Sequence, residues 1–103
     1  MKTRWSFAAI GLVAWAGLVH AYSCPLVIKD ADEMIGKAEA AVTKSQSPDK
    51  AAAEKALAEA KRTVGEARRV HEAAKAKADH AAAVRKGKIA RIYAEEALVL
   101  ADR

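Results

Sequence analysis

"AAAEKALAEAKRTVGEARRVHEAAKAKADHAAAV", residues 51–84, carries an alanine at every seventh position: Ala53, Ala60, Ala67, Ala74 and Ala81. Leu57, Val64, His71 and Ala78 lie four residues beyond members of that row. A sustained seven-residue repeat is the sequence form of a helix–helix seam, because it keeps one stripe of the helix turned toward its partner. Alanine in that stripe lets two backbones approach closely. These five alanines are the expected helix-packing residues.

The rest of the chain reads the same way. Prolines occur only at positions 25 and 48, and no stretch alternates apolar with polar residues as a half-buried strand does. Alanine, lysine, glutamate and arginine lose little rotamer freedom in a helix, so the expected class is all-α. Ser45-Gln46-Ser47-Pro48-Asp49 interrupts the pattern. Ser47 suits a helix N-cap, and Pro48 suits the first helical position, where its missing N–H costs nothing.

Before that interruption a first helix is expected, capped by Asp30 or Asp32 and apolar at Met34, Ile35, Ala38, Ala41 and Val42. After it, a second helix is expected from Pro48 to Lys86. Arg85 and Lys86 would meet the negative end of the helix dipole, with Gly87 just past the last turn. A third helix covers Ile89 to Ala101. The long central helix would have about 39 residues and measure roughly 58 Å at 1.5 Å per residue. The two shorter helices would fold back on its halves, as an antiparallel helical hairpin or three-helix, coiled-coil-like bundle.

The first residues speak to location. Lys2 and Arg4 precede an uncharged apolar run, Phe7 to Val19, and small residues follow. This is the arrangement of a secretory signal. Residues 1–23 are read as a signal helix removed after Ala21 or after Ser23, 24–29 as a short linker, and 30–103 as an alanine-rich helical domain. Cleavage after Ser23 would leave Cys24 first, a candidate for lipidation and membrane anchoring. Cys24 is the one cysteine in the chain, so no intramolecular disulfide is expected. The expected location is the periplasm, or a membrane reached through a lipid on Cys24.

Charge is uneven. Lys61 to Arg91 holds ten basic and three acidic residues. Lys61, Arg68 and Lys75 share one line of the second helix, and Arg62 and Arg69 a neighbouring one. These five are the candidate contacts for anionic lipid, a cell-wall polymer or another polyanion. Nucleic acid is disfavoured by export and by the lack of stacking aromatics. The other expected partners are a second copy of the chain or another envelope protein.

No catalytic residue set, cofactor or metal site is expected. His71 and His80 are nine apart and would point to opposite sides of a continuous helix, unable to share an ion.

The signal ending near Cys24, the alanine ladder and "KGKIARIYAEEALVLADR" (residues 86–103) resemble uncharacterised alanine-rich helical cell-envelope proteins of Gram-negative bacteria, many of them lipoproteins. The match to their terminal helix falls on Ala90, Ala94, Glu95 and Ala97. The resemblance implies a non-enzymatic exported protein, a helical spacer or interaction module. The alternative is a small periplasmic binding protein for a metal ion or polyanion.

Overall fold

The computed structural model describes residues 24–102, and these form three α-helices joined by short turns, with no strand among them. α1 covers 24–44, α2 Lys50–Ala73 and α3 Lys77–Ala101. The expected leader, 1–23, lies outside the described residues.

Contacts across the bundle define its directions. Asp32 pairs with Arg68, and Glu39, seven residues further along α1, pairs with Lys61, seven residues back along α2. α1 and α2 are therefore antiparallel. α3 reverses again after the second turn, so it runs parallel to α1. The Cys24 thiol reaches the His80 carbonyl, and the Ser45 hydroxyl reaches the Ala101 carbonyl at 2.7 Å. Both contacts join residues 56 apart in sequence. α1 and α3 thus keep one register from end to end.

The first turn follows the chemistry of its residues. Ser47 Oγ accepts the Asp49 N–H at 3.1 Å, and Ser47 O accepts the Lys50 N–H at 3.1 Å. The regular helix begins at Lys50, with Asp49 as the N-cap residue and no side-chain cap bond of its own. Pro48 lies in the turn ahead of it.

The expected central helix is two helices. The chain breaks at residues 74–76, and α3 passes through Gly87 without interruption. Propensity does not explain the break, because Ala74, Lys75 and Ala76 are good helix formers. Tertiary packing does. A continuous rod would leave the small-residue face of its second half bare, whereas reversal lays that face against α1 and α2. The cost is a few intrahelical hydrogen bonds, each worth a net 0.5–1.5 kcal/mol or thereabouts. Asp79 recovers part of it, its carboxylate accepting the backbone N–H groups of Lys75 and Ala76 at 3.1 and 3.3 Å.

Two further expectations change for the same reason. Residues 24–29 are helical rather than a linker, because Cys24 and Ile28 continue the stripe of Ala31, Ile35, Ala38 and Val42, all buried. Asp30 and Asp32 accordingly lie inside α1 and act as ion-pair partners, not caps.

The buried stripes alternate steps of four and three residues. On α3 the stripe is Ala83, Gly87, Ala90, Ala94, Ala97 and Ala101. It contains nothing larger than a methyl group. On α1 and α2 the alanines share the seam with Ile28, Ile35, Val42, Leu57 and Val64. Large side chains from two helices therefore close over a third made of small ones. The bulky residues of α3 lie elsewhere: Tyr93, Leu98 and Leu100 pack at the edge of the core, while Ile92 and Val99 are 61% and 74% exposed.

Gly87 marks a close approach of α1 to α3. A Cβ built there would stand 2.7 Å from Val27 Cγ1. The glycine leaves space for a neighbour's side chain and is not a helix stop. Gly65, by contrast, has nothing within 4 Å of such a Cβ.

Two paired substitutions test this packing. Ala67 is buried and Ala81 exposed, although both belong to the same seven-residue row. Ala67→Leu should destabilise by about 1–3 kcal/mol through overpacking, while Ala81→Leu should stay within about 0.5 kcal/mol. Equal melting temperatures would refute the break at 74–76. In the second pair, Gly65→Ala should stabilise by about 0.5–1 kcal/mol. Gly87→Ala should lose that gain to the clash with Val27 and melt below the parent, as thermal denaturation would show.

Candidate functional site

The turn at 74–76 creates a meeting point that a continuous helix would forbid. His71 lies in the last turn of α2 and His80 in the first turn of α3. Reversal brings their rings edge to face, with centroids 6.0 Å apart. The parallel register of α1 and α3 sets Cys24 at the same end of the bundle.

Cys24 is 2% exposed. Its thiol donates to the His80 carbonyl at 3.1 Å, and Sγ lies 3.8 Å from His80 Nδ1. One donor atom from each of Cys24, His71 and His80 falls within 4.8 Å of the other two. Among the described residues this is the one cluster of its kind. A thiol and two imidazoles are donor types favoured by zinc and copper. The spacing argument that separated His71 from His80 fails because it assumed an unbroken helix.

The surroundings are uneven. His80 is exposed and His71 half-buried. His71 Nδ1 is shut off from solvent with no hydrogen-bond partner. Beside it an open depression of about 280 Å³ is lined by Pro25, Ile28, Lys29, Asp32, Arg68, His71 and Glu72. A larger one of about 630 Å³ opens at the opposite end, between Lys44, Ser45, Leu98 and Asp102.

The proposed packing alanines divide. Ala53, Ala60 and Ala67 are fully buried in α2, Ala74 is half-buried in the turn, and Ala81 faces solvent on α3. The seven-residue row thus ends with α2. α3 has its own row, Ala83, Ala90 and Ala97, displaced by two positions from the first. That change of phase, together with Asp79 poised three residues after Ala76, is the signal that could have located the turn and hence the cluster.

The basic residues are also divided. Lys61 pairs with Glu39 at 3.3 Å, and Arg68 reaches across to Asp32. Arg62 bridges Glu59 and Glu66 at 2.7 and 2.6 Å along its own helix. Arg69 and Lys75 are exposed and make no ion pair among the described residues. Exposed pairs of this kind contribute little to stability, because solvent screens them. The geometric effect of the Lys61 and Arg68 pairs is to pin α1 against α2.

Lys86 joins the network from α3, with Nζ 3.4 Å from Glu66. That hydrogen bond holds the Glu66 carboxyl below the ordinary carboxylate range, against partial desolvation and with help from the Arg62 charge. Glu59 and Glu66 in turn raise the Arg62 guanidinium.

No helix among the described residues is long and apolar enough to cross a membrane. Comparison with protein-family models, curated proteins and solved structures finds no match.

A carboxyl depressed by folding contributes stability at pH values above its unfolded-state pKa, and loses it as pH falls through the folded one. Acidification from about pH 6 to about pH 3 should therefore weaken the α2–α3 link at Glu66. Glu66→Gln should flatten part of that decline in melting temperature, and an unchanged acid profile would show that Glu66 is not linked to folding.

Proposed function

We propose that the chain is a non-enzymatic exported cell-envelope protein, a compact helical spacer or interaction module. The observation that carries this reading is the use of the interior. Nine alanines with no exposed surface, from Ala31 to Ala97, hold three helices together, so the described fold is given over to close helix packing. The sequence of the leader supports export. Lys2, Arg4 and the apolar run Phe7–Val19 precede two small-residue cut positions.

Of those two positions, cleavage after Ala21 is the one supported by the surroundings of Cys24. It leaves an internal thiol free to face His80, as it does here. Cleavage after Ser23 with a lipid on Cys24 would require Sγ to leave that contact and turn toward the bilayer. The reading is therefore a periplasmic protein, with the lipid-anchored form as the alternative that mass would reveal. Exposed Ile92 and Val99 on the outer face of α3 support contact with a second copy or another envelope protein. Polyanion binding draws less support, since Lys61, Arg62 and Arg68 are engaged within the bundle.

Cell fractionation with intact-mass analysis tests export directly. The expected result is periplasmic protein lacking residues 1–21. Full-length chain starting at Met1 in the soluble cytosol would overturn the proposal.

A further inference from the structure

We infer that Cys24, His71 and His80 form a binding site for a borderline divalent transition-metal ion, zinc being the ion the donor set fits best. The site is independent of export, since it rests on the folded bundle alone.

Three features support it. The first is donor chemistry: one thiolate and two neutral imidazoles match zinc, and their number leaves one position of a tetrahedron for water. The second is distance. With Zn–S near 2.3 Å and Zn–N near 2.0–2.1 Å, tetrahedral angles require S···N of about 3.6 Å and N···N of about 3.3 Å. Cys24 Sγ and His80 Nδ1 already lie 3.8 Å apart. One nitrogen of each histidine and the Cys24 sulfur lie within 4.8 Å of one another, so closure needs a ring adjustment of up to about 1.5 Å.

The third feature is the stranded nitrogen. His71 Nδ1 is buried without a partner, a costly state for a polar atom. Coordination through that atom would satisfy it. On binding, the Cys24 thiol releases its proton to the buffer and exchanges its bond to the His80 carbonyl for one to the ion. Nothing is oxidised or reduced.

The placement favours exchange over permanent burial. Each donor comes from a different helix end, and His80 is exposed. The ion would enter from the solvent side and clamp the first turn of α1 to the α2–α3 turn.

The test is cobalt(II) titration of the reduced, metal-free full chain, with cobalt as the spectroscopic stand-in for zinc. One equivalent should produce thiolate-to-cobalt charge-transfer absorption and visible bands of tetrahedral strength, and one equivalent of zinc should abolish them. Cys24→Ser should remove the charge-transfer band. The double variant His71→Ala/His80→Ala should weaken binding by at least about tenfold, with circular dichroism confirming that each variant remains helical. Because the parent chain carries the first readout, a misfolded variant does not rescue the idea. Absence of the band in the parent would overturn the site, as would undiminished binding by the double-histidine variant. A lipid found on Cys24 Sγ in the native protein would overturn it too, while leaving export intact.

Discussion

Helices α1 and α3 come close enough here that, at position 87 of α3, even one added carbon would collide with the Val27 side chain of α1. That closeness is possible because the fully buried stripe of α3 is made only of alanine and glycine. Alanine loses no side-chain rotamer entropy on burial, and helix separation is set by the side chains at the contact. The arrangement exchanges bulk for proximity. The larger Ile28, Ile35, Leu57 and Val64 then fill the grooves beside the small residues, and the ion pairs of Asp32, Glu39 and Glu66 lie over the outside.

The turn at 74–76 follows from that constraint. A face of small residues gains little from water exclusion unless another helix lies directly on it. Two such faces occur in the stretch from Lys50 to Ala101, offset in phase, and one straight helix cannot turn both toward the same partner. Reversal resolves the conflict. It also draws together His71, His80 and Cys24, which have no reason to meet in any other topology.

Much of the fold was legible in the sequence, and the illegible part has a single physical source. The all-α class, the turn around Ser47 and the buried positions Ala53, Ala60 and Ala67 follow from local propensity and period. The second turn does not, because Ala74-Lys75-Ala76 contains no proline, glycine or β-branched residue to oppose a helix. Gly87 misled for the opposite reason: glycine serves both as a helix stop and as room for a close neighbour, and only the neighbour distinguishes them. The histidine cluster was hidden behind the same missed turn. Cys24 lies far from both histidines in the chain, and spacing along an unbroken helix sent His71 and His80 apart.

The constant register between α1 and α3 has a consequence for the order of assembly. Contacts between neighbouring helices close through short turns, whereas those joining α1 to α3 span 56 residues. Loop closure costs more entropy as the span grows, and chains form their local contacts faster. The two antiparallel pairings are therefore expected before the parallel one, which closes the contact of Cys24 with His80. Until it does, the sulfur of Cys24 stands open to whatever reagent, enzyme or ion the compartment supplies. Docking then closes a kinetic window, so the fate of that one atom is decided by a race between its chemistry and the final step of folding.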